Sequence, residues 1–141
     1  MEVPLAAVDR IRRPMEGLRP MIEVDLQRFE HLLARALDTL PPAFAELIDN
    51  VAVVVEEEPT EEDLRLVGLD PEEDDLLGLY HGVPLDERGA GYSALPDRVV
   101  IYRLPILWIC DTEDDVIREV RDTLVHELGH HFGLGDDDMP Y

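Results

Sequence analysis

Two histidines, His126 and His130, stand four residues apart in "DTLVHELGHHFGLGDDDM". On a helix that spacing stacks both imidazoles on one face, where one divalent metal can bind both at about 2.0–2.1 Å. Glu127 follows the first of them by one position, about 100° around the helix. There it stands beside a metal-held water rather than on the metal, the station of a general base. A third ligand has to come from chain that has left the helix and turned back. Gly133 permits such a turn, and Asp136 falls where the returning chain delivers a carboxylate. The full pattern is H-E-x-x-H-x-x-G-x-x-D, read as His126, Glu127, His130, Gly133 and Asp136.

Neighbouring residues compete for some of these roles. Asp137 and Asp138 are alternative carboxylates, but the offset from the glycine favours Asp136. His131 points about 100° away from His130 and reads as a packing or supporting residue. His81, in "LYHG", reads first as a structural histidine and second as a substrate contact. Tyr92 and Tyr102 carry phenols suited to an oxyanion, although nothing in their spacing assigns that role. Tyr102 reads as core. His31 lies off its helix's apolar stripe and receives no chemistry.

These residues need a helix beneath them and a scaffold behind it. "DTEDDVIREVRDTLVHELGHHFG" is the strongest helix of the chain: Asp111 or Thr112 can cap it, and Glu113, Asp114 and Asp115 suit its positive end. Val116, Val120, Leu124 and Leu128 supply its buried face, with Ile117 and Phe132 beside them. Upstream, Leu26, Phe29, Leu32, Leu33, Ala36, Leu37 and Leu40 recur at helical spacing until Pro41 and Pro42 stop the helix, and Pro42 starts a short second one. "NVAVVVEEEP" predicts a buried strand and "TEEDLRLVG" a short helix capped by Thr60. "LDPEEDD" reads as a solvated acidic loop. "LLGLYHGVPL" reads as a second strand, "DERGAGYSALPD" as a turn, and "RVVIYRL" as a third strand at a sheet edge. That last strand either aligns an extended peptide through its backbone or is simply an edge. Residues 1–20 show little periodicity and are expected to form a flexible N-terminal extension, leaving 21–141 as one domain. Met21 is an alternative start to Met1.

The chain carries 33 acidic against 12 basic residues, all of the latter arginine, for a net charge of −21. That surface repels phosphate backbones, which disfavours nucleic acid and anionic membranes as partners and favours cations. With 45% hydrophobic residues the chain has enough apolar content for a core despite its charge. Its single cysteine, Cys110 in "ILWIC", reads as a small buried hydrophobe, and no secretory signal or bilayer-length apolar run is visible. The expected compartment is the cytoplasm.

From Met21 to Met139 the sequence resembles the small bacterial minimal zincins, a metallopeptidase-like family. The likeness is carried by "RFEHLLARALDTLPPAFAELIDNVAVVVEEEP", "GLYHGVPL", "LPDRVVIYRLPI" and "TLVHELGHHFGLGD". It implies an α+β fold, a small mixed sheet packed with a long N-terminal helix and a C-terminal active-site helix, and one catalytic Zn2+. Full metzincins resemble it through the extended motif, but they run well past the third ligand into a methionine turn and a substrate wall. Here five residues follow Asp136, and Met139 is too close to serve as that turn, so a shallow, open cleft is expected.

Three functions follow. The first is a zinc metallopeptidase acting on a peptide or protein, in which Glu127 takes the water's proton and passes it to the leaving amine. The second is a zinc-binding module with little turnover, against which the retained Glu127 argues, because a structural zinc needs no base. The third is a zinc hydrolase acting on RNA, which both Glu127 and the charge disfavour.

Overall fold

The computed structural model describes residues 9–12, 21–82 and 97–132. In chain order the elements are β1 (Arg10–Arg12), α1 (Leu26–Asp38), α2 (Pro42–Ile48), β2 (Ala52–Glu56), α3 (Glu61–Leu66), β3 (Asp74–Leu76), β4 (Gly78–His81), β5 (Arg98–Tyr102), α4 (Arg103–Trp108) and α5 (Glu113–His131). The fold is α+β with a mixed sheet. Strands β2, β5 and β4 lie side by side in that order, β2 parallel and β4 antiparallel to β5. Strand β1 pairs antiparallel with β3, Arg10 opposite Leu76 and Arg12 opposite Asp74.

Leu77 joins the two sheets. Its N–H donates to Asp9 O at 2.9 Å and its carbonyl accepts from Tyr102 N at 2.9 Å. Residues 74–81 are therefore a single bent run that hydrogen-bonds to β1 along its first half and to β5 along its second.

The helices begin where side chains satisfy their unpaired N–H groups. Asp25 accepts from Arg28 N at the start of α1, and Thr60 accepts from Asp63 N at the start of α3. At α5 Thr112 and Asp115 form a reciprocal capping box, each side chain accepting from the other's backbone N–H. Pro42 occupies the first turn of α2, where its missing N–H costs nothing.

Strand β5 divides the core by alternation. Val99 and Ile101 join a cluster with Phe29, Leu32, Ala36, Val116, Val120, Leu124 and Leu128, on the side covered by α1 and α5. Val100 and Tyr102 face the other way, onto Leu64 of α3 with Leu69, Leu76 and Leu79. A strand buried on both faces belongs in the middle of a sheet.

Five expectations need correcting. The "NVAVVVEEEP" strand is not buried: β2 lies at the outside of its sheet, with Ala52 exposed and the rest partly buried. The "RVVIYRL" strand is central rather than at an edge, and it stops at Tyr102, because residues 103–108 coil into α4. Pro105 is tolerated in the first turn of that helix, where no N–H partner is lost. The acidic "LDPEEDD" segment is not wholly solvated: Asp74 and Asp75 are buried in β3. Within the segment read as a flexible extension, Asp9 is buried and Arg10–Arg12 form β1, with Ile11 packed on the core. Phe132, expected beside the buried face of α5, is 50% exposed. Among the described residues no helix is long and apolar enough to cross a membrane.

Gly78 lets β4 lie against α5. A Cβ there would stand 2.6 Å from Thr123 Cγ2 and 3.0 Å from Val100 O. Gly78→Ala is expected to cost about 1–3 kcal/mol through overpacking. Urea unfolding should show a smaller cost in a Thr123→Ala background, where the nearest clashing atom is gone; equal costs in both backgrounds would count against this contact.

Candidate metal centre

Helix α5 remains regular through His131, so His126 and His130 project from the same face one turn apart. Both are partly buried. The helix is held from behind by Val116, Val120, Leu124 and Leu128, all fully buried, so its histidine face is fixed relative to β4. At its C-terminal end the His131 ring stacks on Tyr80 at 3.8 Å between centroids and 16° between planes. Gly82 makes room for that ring, since a Cβ there would lie 2.8 Å from His131 Cε1. His131 is thus a packing residue, as its angular position predicts.

Glu127 is buried, with 7% of its surface exposed. Its Oε1 accepts the Tyr80 backbone N–H at 2.9 Å, tying β4 to α5 at the level of the two histidines. Burial pushes its pKa well above the usual carboxylate range, and the neighbouring Asp9 pushes further by hydrogen bonding and repulsion; the Tyr80 N–H offsets only part of this. Asp9 is 6% exposed. Its Oδ1 lies 3.3 Å from His126 Nδ1, while its Oδ2 is buried without a donor. Protonated Glu127 is the group that can supply the missing proton. Glu119, before the histidine pair on the same helix, is also shifted upward, first by burial and then by Asp122 and Asp9.

Two imidazoles on one helix face together with the neighbouring carboxyls of Asp9 and Glu127 suit a divalent cation in donor type and charge, which fits Zn2+. Among the described residues no three ligating side chains converge. Gly133 and Asp136, with the competing Asp137 and Asp138, lie outside the described residues, as do Tyr92 and Met139.

The remaining candidates separate cleanly. Tyr102 is core: its hydroxyl approaches Asp63 Oδ2 at 3.4 Å, and burial, then the Asp63 and Glu56 charges, push its pKa up. His81 ends β4, where burial and the Arg98 charge lower its pKa. His31 is exposed on α1. Sequence reasoning did not find Asp9 or the Tyr80 backbone. The "RIR" alternation after Asp9 is too short to announce a strand, and a backbone N–H carries no residue-type signal at all.

The chain belongs to the zincin-like metallopeptidase family, whose profile matches residues 48–141. It is also similar to a solved structure, a conserved hypothetical protein from Thermo thermophilus, at 26% identity and a TM-score of 0.50, over 77% of this chain and 94% of that one. No curated protein matches it. Membership gives a zinc-metallopeptidase relationship at family level and an implied zinc cofactor.

Glu127 also makes metal-free stability depend on pH. With its folded pKa raised, the folded protein holds this proton more tightly than the unfolded chain. Its contribution is fully present below the unfolded glutamate pKa and is lost as pH rises through the folded value. In metal-free denaturation, wild type should therefore lose stability relative to Glu127→Gln as pH climbs from the ordinary glutamate range toward neutrality. A difference independent of pH would exclude the shift.

Proposed function

We propose that this chain is a zinc-dependent peptidase in which His126, His130 and Asp136 hold one zinc and Glu127 is the general base. The observation that carries this reading is Glu127: a carboxyl on the same helical turn as two histidines, buried, anchored by a backbone N–H and raised in proton affinity. A bound zinc supplies a Lewis acid and lowers the pKa of water toward about 7.

The protein residues supply the rest. His126 and His130 present two imidazoles from a helix whose back is locked in the core. Asp136 completes the set by its offset from Gly133. The Tyr80 N–H holds Oε1 and so orients the Glu127 carboxyl. A carboxyl with raised proton affinity suits a group that accepts a proton from water and returns it to a leaving amine. Among the described strands β5 is central and the β4 edge is buried against α5 with its Tyr80 N–H held by Glu127, so the peptide-aligning role first considered for "RVVIYRL" is assigned to neither. The net charge of −21 favours peptides rich in basic residues.

The depth at which Glu127 lies favours a second reading, a zinc-binding module with little turnover. Metal analysis and a peptide-library assay of wild type and Glu127→Gln separate the two. The peptidase reading expects one zinc per chain in both proteins and a loss of at least about 10²-fold in cleavage for the variant. Stoichiometric zinc with no cleavage of any library member supports the module, wild-type cleavage by the variant removes Glu127 as the base, and no zinc uptake ends both readings.

A further inference from the structure

We propose that Asp9 is a positioning residue for His126: its carboxylate accepts the Nδ1–H of that imidazole and so presents Nε2 to the metal. This rests on the zinc reading above and extends it to a residue outside the family match, which begins at residue 48.

The geometry comes first. Asp9 Oδ1 lies 3.3 Å from His126 Nδ1, across 117 positions of sequence. A carboxylate only accepts hydrogen bonds, so the contact is favourable when Nδ1 carries the proton. The hydrogen bond made by one ring nitrogen decides the tautomer and therefore which nitrogen can coordinate. Carboxylate–histidine–metal arrangements of this kind fix ring orientation and raise the basicity of the ligand.

The carboxylate is itself aimed by regular structure. The Asp9 carbonyl accepts from Leu77 N at 2.9 Å, and the next three residues form the β1–β3 ladder. Arg10 Nε lies 3.4 Å from Asp74 Oδ1, and Ile11 packs on the main core. Strand β1 therefore works as an arm whose end carries Asp9 to the histidine face of α5.

The energetics point the same way. Asp9 is almost fully buried next to Glu127, and its Oδ2 has no donor unless Glu127 is protonated. Burying an incompletely satisfied carboxyl beside another acid destabilises the fold. Packing alone would be served better by an apolar residue of similar volume. A role toward His126 accounts for a carboxylate at this point.

The test uses Asp9→Asn, whose side-chain oxygen still accepts a hydrogen bond, and Asp9→Ala, which has no acceptor. Ring nitrogen-15 NMR of the metal-free full chain, at a pH where the imidazole is neutral, should show His126 as the Nδ1–H tautomer in wild type and in Asp9→Asn. In Asp9→Ala it should shift toward Nε2–H while His130 keeps its own signature. Chelator competition should show zinc bound about 10–100-fold more weakly by Asp9→Ala, with much of the loss recovered in Asp9→Asn. Co2+ substituted for zinc should give the same ligand-field spectrum in all three, since Asp9 is not itself a ligand. An Nε2–H tautomer in wild type, unchanged zinc affinity in Asp9→Ala, or an altered Co2+ coordination number would overturn the proposal. So would faster peptide cleavage by Asp9→Ala at unchanged zinc affinity, which would make the β1 arm a cover over the site. The tautomer is read without metal, so its outcome is independent of whether wild type takes up zinc.

Discussion

The 2.9 Å hydrogen bond from the Tyr80 backbone to Glu127 ties the sheet to the helix that carries the two histidines. It exists only because β4 lies close against α5, which in turn requires Gly78 facing Thr123 and Gly82 facing His131. Larger residues at either point would push the strand away and leave a buried carboxyl with its strongest compensating donor lost. The His131–Tyr80 stack locks the same two elements one turn further on. The sheet is small, yet its register against the helix decides what Glu127 can do.

The electrostatics of this region run against stability. Glu127 and Glu119 are both raised, first by burial, and Asp9 adds to the shift of each. Evolution toward stability alone tends to remove such groupings, whereas sites that bind cations or move protons keep them. The charged contacts elsewhere are of a different kind. Arg28 with Glu113 and Arg103 with Glu57 are well-formed pairs on the surface, and they pin α1 to the start of α5 and α4 to the end of β2. Such exposed pairs contribute little to stability and mainly hold orientation.

How much of this could be read from the residues depends on whether the physics is local. Helix α5, with Thr112 as its cap and Val116, Val120, Leu124 and Leu128 as its buried stripe, follows from 3.6-residue periodicity and capping chemistry, both written within the helix and its cap. The same is true of α1 up to the proline pair. The place of β5 in the sheet was not local. "RVVIY" alternates weakly, and only the pairing with β2 on one side and β4 on the other makes it central. The burial of Asp74 and Asp75 has the same origin, because these acidic residues become part of a strand only when the distant Arg10–Arg12 segment pairs with them. Glu127 and the two histidines announced themselves by type and spacing, while Asp9 had no neighbour with which to form a pattern.

The arm formed by β1 has a consequence for the order in which this molecule assembles. Closing a loop across 117 positions carries an entropic cost that grows with its length, so a contact between Asp9 and His126 is made after the sheet and helices that support it. A three-residue strand is also the first element expected to open during native-state fluctuations, well below the energy of global unfolding. Surroundings that stay shielded from solvent while the arm is docked would become wet each time it lifts. Amide exchange along Arg10–Arg12 would then report how often the interior carboxyls meet water, on a timescale set by this short strand and not by the body of the fold.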